Sequence, residues 1–182
     1  MQSVLDHCAA LTGAISVVDL GSGSGALALA IATENPMTHV IAVEKDPAAI
    51  EWLKKNVSRI NEQVRIVESD VVDALEGVKC DVVIANPPYV PDSQVLPRDV
   101  ADHEPAVALF GGMDSGGVGG MKTPRLFIST ASRLLKSGGF LAIEHHEELG
   151  EAIANVLSDD FTDILLHKDL TGRPRFTTAV RR

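Results

Sequence analysis

The feature that most constrains this chain is a glycine-rich segment, residues 21–25, that directly follows a short apolar run. The run at residues 15–20 is too short and too apolar for a surface helix, and residues 26–33 are rich in alanine, leucine and isoleucine. This order predicts a central strand, a tight turn and a helix. In open α/β sheets such a turn lies at the carboxyl end of the strand, where ligands bind.

Short β-branched runs and amphipathic stretches alternate along the rest of the chain. This pattern is typical of a parallel sheet covered by helices on both faces, so the fold class is α/β. We predict seven strands, at residues 15–20, 38–44, 64–68, 81–85, 140–144, 161–167 and 176–180. Because the interval between the last two is too short for a helical crossover, we expect them to be antiparallel to each other.

The clearest helix signal is Asp46-Pro47. Aspartate is a favoured N-cap residue, and proline suits the first helical position. The segment that follows carries apolar residues at core spacing, so we expect this helix to face the sheet. Further helices are predicted at residues 26–33, 71–75, 123–136 and 147–157.

The alternation stops after the fourth predicted strand. Six of the nine prolines and a cluster of six glycines fall between residues 86 and 124, and both residue types disfavour regular elements. A long irregular segment inside a compact domain is either a functional lid or a misassigned element. We interpret residues 90–122 as a mobile substrate loop.

Length and charge limit the classes of protein to consider. A chain of 182 residues that is 45% hydrophobic indicates one globular domain, residues 1–182, in which residues 1–14 form an amino-terminal helical extension. Lysine and arginine number 16 against 25 aspartates and glutamates, a net charge of −9 that disfavours a nucleic-acid partner. No apolar run reaches the roughly 18 residues that would span a bilayer, so we expect no membrane partner.

The cysteines and histidines do not form a metal-ligand pattern. Cys8 and Cys80 are far apart in sequence, and without a signal peptide they favour a reducing cytoplasm and buried thiols. His145 and His146 are adjacent near a strand end, where neighbouring side chains point to opposite faces. We therefore predict no metal site.

The glycine loop and its acidic neighbours indicate a nucleoside ligand. The pattern Gly21-x-Gly23 would also suit a dinucleotide. Asp19 precedes the first glycine, where a carboxylate can meet a cationic group and would repel a pyrophosphate. Glu44 ends the second predicted strand, where its oxygens can accept hydrogen bonds from both ribose hydroxyls.

Asp70 and Val71 follow the third predicted strand at the same edge of the sheet. The Asp70 carboxylate can accept a hydrogen bond from an adenine amino group, while the backbone N–H of Val71 donates to a ring nitrogen. A plain N-cap function for Asp70 explains the residue nearly as well.

The tetrapeptide Asn86-Pro87-Pro88-Tyr89 follows the fourth predicted strand and indicates the chemistry. Its prolines fix the backbone, so the turn presents acceptor oxygens in a rigid frame. If the side-chain oxygen of Asn86 and the carbonyl of Pro87 each accept one hydrogen of a planar NH₂ group, its lone pair points toward an incoming methyl group. Tyr89 can cover this planar group, or it can simply pack against the core.

The glycine loop and the tetrapeptide together resemble the class I S-adenosylmethionine-dependent methyltransferases. More narrowly, the chain resembles the release-factor glutamine N5-methyltransferases. The narrower resemblance covers nearly the whole chain and rests on three further segments: His103-Glu104-Pro105-x-x-Ala108-Leu109-x-Gly111-Gly112-x-Asp114, Gly138-Gly139-Phe140-Leu141-x-x-Glu144-His145, and Lys168-Asp169-Leu170-x-Gly172-x-x-Arg175.

This resemblance implies a Rossmann-like class I methyltransferase sandwich, with a mostly parallel seven-stranded sheet and an antiparallel last strand. It implies S-adenosylmethionine as cofactor and a peptide chain release factor as substrate. Members of the family usually carry an amino-terminal helical domain, and we expect this chain to be a catalytic domain without it. His146 also replaces a glycine that the family usually carries after the Glu-His pair.

The resemblance also assigns functions to individual residues. The cofactor would be held by Asp19, Gly21 and Gly23 at its methionine part, Glu44 at the ribose, and Asp70 with Val71 at the adenine, with Asn86 touching both ligands. The glutamine amide would be held by Asn86, Pro87, Pro88 and Tyr89, and Glu104 would be a contact from the loop.

Two other functions share some of these features. The tetrapeptide also occurs in enzymes that methylate exocyclic amino groups of nucleic-acid bases, although the net charge of −9 disfavours such a substrate. A non-catalytic, cofactor-binding remnant is the second alternative, and the intact motifs disfavour it.

Overall fold

The computed structural model describes residues 1–91 and 109–182. Its helices are α1 Gln2–Ala10, α2 Ala26–Glu34, α3 Pro47–Ile60, α4 Lys122–Leu134 and α5 Gly150–Leu157, with a short 3₁₀ helix at Glu147–Leu149. Its strands are β1 Ile15–Leu20, β2 Thr38–Glu44, β3 Arg65–Glu68, β4 Cys80–Ala85, β5 Leu135–Glu144, β6 Phe161–Lys168 and β7 Pro174–Arg181. None of the helices in these described ranges is long and apolar enough to cross a membrane.

The strands form one seven-stranded sheet in the order β3-β2-β1-β4-β5-β7-β6. The pairs from β3 across to β5 are parallel, whereas β7 is antiparallel to both β5 and β6. This confirms the predicted α/β fold with a reversed last strand. Because the strand order changes direction beside β1, the carboxyl ends of β1, β2 and β4 flank the crevice where such sheets bind ligands.

The core consists of two layers, one on each face of the sheet. Val17 and Val18 of β1 are both fully buried, yet they belong to different layers. Val17 packs with residues of α1, α2 and α3, and Val18 packs with residues of α4 and α5. Neighbouring residues of a strand point to opposite faces, so the unbroken apolar run of β1 requires helices on both sides.

The start of α3 follows the prediction from Asp46-Pro47. The Asp46 carboxylate accepts hydrogen bonds from the backbone N–H groups of Ala48 at 2.7 Å and Ala49 at 3.2 Å. The predicted core face of the helix is also buried: Ile50, Leu53 and Val57. This cap places the first turn of α3 next to the end of β2.

Residues 1–14 contain α1, which packs on the same face of the sheet as α2. Val4 and Cys8 are buried in that layer. The imidazole ring of His7 stacks on the ring of Phe140, with 4.3 Å between the ring centroids. α1 therefore covers part of β5 on this face of the sheet.

The helix predicted at residues 71–75 is wrong, because these residues form consecutive turns. The backbone N–H of Asp73 donates to the carbonyl of Asp70 at 3.2 Å, and that of Ala74 donates to Val71 at 3.4 Å. Leu75 then adopts a left-handed conformation with φ of 56°. This conformation is incompatible with a continuing right-handed helix.

The boundary between α4 and β5 also differs from the prediction. The helix ends at Leu134, and Leu135 begins the strand by pairing with Cys80. The register then shifts, because Phe140 pairs with Val82. Leu135 is buried in the core layer that contains α4 and α5. The residues between it and Phe140, which include Gly138 and Gly139, form an irregularity in the strand.

Candidate active site

A cleft of about 910 Å³ opens at the carboxyl ends of β1, β2 and β4. Its lining comes from the glycine loop, the ends of three strands, α3, α4 and the segment before α4: Gly21, Gly23, Ser24, Glu44, Lys45, Asp46, Ala48, Ala49, Trp52, Asp70, Val71, Val72, Asp73, Asn86, Pro88, Phe110, Thr123, Leu126 and Phe127. The structure thus brings together most of the cofactor residues predicted from the sequence. The volume suits a ligand of nucleoside size or larger.

The glycine loop lets the backbone pass close to two side chains of the core. Gly21 has φ of 67°, and a Cβ there would lie 3.0 Å from the ring of Phe127. Gly25 has φ of 87°, and its Cβ would lie 2.5 Å from Cδ1 of Leu53. Only glycine fits both the left-handed backbone and these contacts. The loop can therefore lie close to the core side chains, which leaves the cleft open.

Asp19 lies beneath the loop and is not part of the cleft wall. It is only 1% exposed, and its carboxylate accepts a hydrogen bond from the backbone N–H of Ala28, in the first turn of α2, at 3.1 Å. The pKa of Asp19 is raised to about 7, chiefly by burial; the Ala28 bond opposes this shift and the nearby Glu44 contributes to it. The carboxylate therefore supports the start of α2, and direct contact with a ligand stays a prediction.

Glu44 is buried at the end of β2 and is fixed by three backbone donors. One carboxylate oxygen accepts from Gly23 at 2.8 Å. The other accepts from Lys45 at 2.8 Å and Asp46 at 2.9 Å. Since a carboxylate offers about four acceptor positions, the predicted ribose contact has to use the remaining capacity.

Asp70 is paired with Lys45 across the cleft rim, at 2.9 Å between Nζ and the carboxylate. Its other oxygen accepts from the backbone N–H of Val72 at 3.1 Å. These two bonds, with Lys45 the larger influence, lower the pKa of Asp70. The sequence offered a helix N-cap as an alternative, but turns follow Asp70 in place of a helix, and its carboxylate caps the first of these turns. The adenine contact stays a prediction. Val71 is buried beside it and lines the cleft.

The tetrapeptide divides between the cleft and the protein interior. Asn86 is exposed and lines the cleft together with Pro88. Pro87 is buried. This arrangement holds the Asn86 side chain at the boundary between the cleft and solvent. There its side-chain oxygen can accept a hydrogen bond from a planar NH₂ group.

Tyr89 is not among the residues that line the cleft, and its side chain is held by a residue at the end of β5. Its hydroxyl donates a hydrogen bond to Oε1 of Glu144 at 2.9 Å. Burial, followed by the charge and hydrogen bond of Glu144, raises the pKa of Tyr89 to about 12. The hydroxyl is therefore protonated at neutral pH and engaged with the end of β5.

A strap of residues 109–121, which precedes α4, packs against the tetrapeptide. The backbone N–H of Val90 donates to the carbonyl of Leu109 at 2.9 Å, and that of Gly111 donates to Val90 at 3.0 Å. Residues 92–108 of the loop predicted at residues 90–122, including Glu104, lie outside the described residues. Its mobility and the contact of Glu104 with substrate stay predictions.

Sequence reasoning missed the apolar wall of the cleft. This lining includes Phe110 of the strap, Leu126 and Phe127 of α4, and Trp52 of α3. Trp52 is 60% exposed. In the sequence it is the single tryptophan and lies off the predicted core face of α3, which was a usable signal. The others come from distant parts of the chain, so only the fold shows that they meet.

The described residues hold no group of three histidine, cysteine, aspartate or glutamate side chains that could bind a metal ion. His145, near the end of β5, is fully buried, with Nδ1 2.8 Å from the carbonyl of His146 and Nε2 2.9 Å from the hydroxyl of Thr177. A carbonyl only accepts, so Nδ1 carries the proton and Nε2 accepts from Thr177. Burial lowers the pKa of His145, which keeps this structural imidazole neutral.

The sheet order, the glycine loop and the acidic end of β2 define a Rossmann-like methyltransferase domain. Residues 3–102, more than half of the chain, match the family described as methyltransferase small domain. The chain belongs to this family.

Two curated relatives are similar to this chain over most of its length. The release factor glutamine methyltransferase of Mycolicibacterium smegmatis is 42% identical over 91% of this chain and 58% of its own length. That of Mycobacterium tuberculosis is 35% identical over 91% of this chain and 55% of its own length. The chain thus spans little more than half the length of these relatives. The resemblance inferred from the motifs is confirmed as a similarity to them.

A solved methyltransferase from Pyrococcus furiosus shares the fold. It superposes with a TM-score of 0.69 over 99% of this chain and 81% of the other, at 20% identity.

Proposed function

We propose that this chain is an S-adenosylmethionine-dependent methyltransferase that modifies the side-chain amide of a glutamine in a peptide chain release factor. The observation that carries the proposal is one cleft that joins the fixed Glu44 carboxylate to the exposed Asn86 of the tetrapeptide. The similarity to release factor glutamine methyltransferases supports this choice of acceptor. Ribosomes release peptide chains in the cytoplasm, which is therefore the expected location.

The residues of the cleft fit this cofactor. Glu44 offers remaining acceptor capacity to ribose hydroxyls, and the low glycine loop beside it leaves room for the methionine part. At the other end, Asp70 and Val71 flank a partly apolar space that suits an adenine ring. When bound, the cofactor would supply a methyl group carried on a positively charged sulfonium.

Asn86 and Pro87 orient the acceptor in this proposal. An amide nitrogen is weakly nucleophilic because its lone pair is delocalised. With one hydrogen bonded to the Asn86 side-chain oxygen and the other to the Pro87 carbonyl, the nitrogen can approach only along its lone pair. Proximity and orientation then supply the largest part of the rate enhancement. The nitrogen would gain the methyl group and lose one proton to solvent, and the electron pair of the broken S–C bond would stay on the cofactor's sulfur as an uncharged thioether.

The test offers three acceptors to the protein side by side: a release factor, a DNA duplex and ribosomal RNA, each with radiolabelled cofactor. We expect label on the release factor and its loss when the target glutamine is replaced by alanine. Label on either nucleic acid instead would show a base amino-methyltransferase. Cofactor binding by calorimetry without label on any acceptor would show a non-catalytic remnant.

A further inference from the structure

The side chain of Tyr89 is held by a charged residue at the end of β5, which does not line the cleft. Its hydroxyl donates to Glu144, which ends β5 and is only partly exposed. Arg175 of β7 pairs with Asp169 at 3.4 Å between Nε and the carboxylate, and its positive charge opposes the rise in the pKa of Tyr89. Tyr89 is thus linked to a residue 55 positions away in the chain.

Asp169 in turn organises the tight turn between β6 and β7. One of its oxygens accepts from the backbone N–H of Thr171 at 2.8 Å, from the Thr171 hydroxyl at 2.6 Å, and from the backbone N–H of Arg173 at 3.1 Å. These donors, led by the Thr171 hydroxyl, lower the pKa of Asp169 to about 2. The anchor of Arg175 is therefore a permanently charged carboxylate in a well-bonded turn.

The backbone of the tetrapeptide is enclosed from the other side by the strap. A Cβ built on Gly120 would lie 2.3 Å from the carbonyl oxygen of Tyr89. A Cβ on Gly111 would lie 2.8 Å from the carbonyl oxygen of Pro88. The strap therefore approaches the tetrapeptide more closely than any residue with a side chain could.

We propose that Glu144 is a positioning residue, which holds the Tyr89 side chain and through it sets the direction of the acceptor oxygens of Asn86 and Pro87. This inference deepens the proposed function and rests on it. The strap prevents the backbone of Tyr89 from moving away, and the Glu144 bond prevents its ring from turning. The proton of the Tyr89 hydroxyl is donated to Glu144, so Tyr89 would contact a substrate with its ring and not with its oxygen.

The central test is a comparison of Glu144→Gln with Glu144→Ala. Glutamine keeps an oxygen that can accept from the Tyr89 hydroxyl, whereas alanine removes it. We expect Glu144→Gln to retain most of kcat and Glu144→Ala to lose roughly 10- to 100-fold, the scale expected when an acceptor is misplaced by about 1 Å. Cofactor affinity should change in neither variant. Glu148→Gln, an exposed acid nearby, is the matched control.

A double-mutant cycle separates positioning from general damage to the fold. Tyr89→Phe removes the donor of the same bond, so it should lower kcat by about as much as Glu144→Ala. The double variant should lose no more than either single variant, because both break one contact. Full additivity, or unchanged turnover in Glu144→Ala, would overturn the positioning function.

A spectroscopic measurement checks the contact without any substrate. Tyr89 is the only tyrosine of the chain, so tyrosinate absorbance reports on it alone. At pH 11 the wild-type tyrosine should remain mostly protonated, and both Glu144 variants should show more tyrosinate because each removes the negative charge. Circular dichroism at the same pH verifies that the fold is intact. An unchanged tyrosinate fraction in both variants would reject the contact.

The two measurements distinguish the failure of this inference from that of the proposed function. A wild-type protein that methylates no acceptor, with a normal tyrosine titration, would reject the proposed function. An active wild-type protein whose Glu144→Ala variant keeps its turnover would reject the positioning function alone.

Discussion

The Glu44 carboxylate lies 2.8 Å from the backbone nitrogen of Gly23, so the end of β2 is bonded directly to the glycine loop that follows β1. The same carboxylate also accepts from the two residues that begin the turn into α3. The ends of β1 and β2 and the start of α3 are therefore held in a fixed relative position by the chain's own hydrogen bonds. Such pre-organisation lowers the entropy that ligand binding costs.

Replacing Glu44 should weaken cofactor binding. Losing a charge-assisted contact to ribose costs on the order of 1.5–3 kcal/mol, so Glu44→Ala should bind S-adenosylmethionine between about tenfold and 150-fold more weakly. Glu44→Gln keeps an oxygen that can accept from the backbone N–H of Gly23, so it should lose less cofactor affinity. Titration calorimetry measures both, with the exposed Glu51→Ala as control. Unchanged affinity in Glu44→Ala would contradict the ribose assignment.

Replacing Asn86 should separate orientation of the acceptor from cofactor binding. Asn86→Ala should lower turnover far more than cofactor affinity, because the proposed hydrogen bond of its side-chain oxygen is to the substrate amide. Asn86→Asp keeps one acceptor oxygen but adds a negative charge near the sulfonium, which stabilises the charged ground state. We expect weak activity from aspartate and almost none from alanine. An alanine variant with most of its turnover would make the tetrapeptide a structural turn only.

Asp19 should make stability fall as pH rises through neutrality. Its pKa is raised from 3.8 in the unfolded chain to about 7 in the folded protein. The folded state therefore binds the proton more tightly, so the stabilisation is complete below about pH 4 and is lost as pH rises through about 7. Asp19→Asn keeps an acceptor for Ala28 without titrating. Between pH 5 and pH 8, urea unfolding should show the wild type losing more free energy of unfolding than this variant. An equal change in both proteins would contradict the raised pKa of Asp19.

Gly120→Ala should disturb the tetrapeptide through the strap. Both Gly120 and Gly117 have positive φ, 81° and 78°, but only Gly120 has a backbone oxygen at 2.3 Å from the added Cβ, whereas Gly117 has no atom within 4 Å. Gly117→Ala should therefore cost about 1–2 kcal/mol from its backbone conformation alone. Gly120→Ala should cost about 1–3 kcal/mol more because of the clash with Tyr89. Denaturant unfolding measures the difference, and equal losses would show that the strap can move away.

The proline-rich and glycine-rich composition between residues 86 and 124 predicted an irregular segment but not its contacts. Close approach of two backbones depends on which chain segments meet, and sequence alone does not show this. The packing of Gly111 and Gly120 against the tetrapeptide is visible only in the structure. The strap and the positioning of Tyr89 consequently had no counterpart among the predicted site residues.

The sequence by itself determined the features that depend on neighbouring residues. The apolar run of β1, the cap at Asp46 and the glycine loop follow from burial, N-capping and backbone freedom, which act over a few residues. The carboxyl-end rule of parallel sheets then brought Glu44, Asp70 and Asn86 to one cleft. The last strand's direction followed from the length of the preceding turn.

Only the tertiary structure decided how these residues use their polar atoms. Asp19 turns beneath the loop toward Ala28, Lys45 occupies one oxygen of Asp70, and Tyr89 bonds to Glu144. The positions of these partners depend on the packing of helices and strands distant in sequence, so local patterns carry no record of them. Because a buried polar group has to find a partner inside the fold, the final shape of the core determined which of the predicted residues face the cleft.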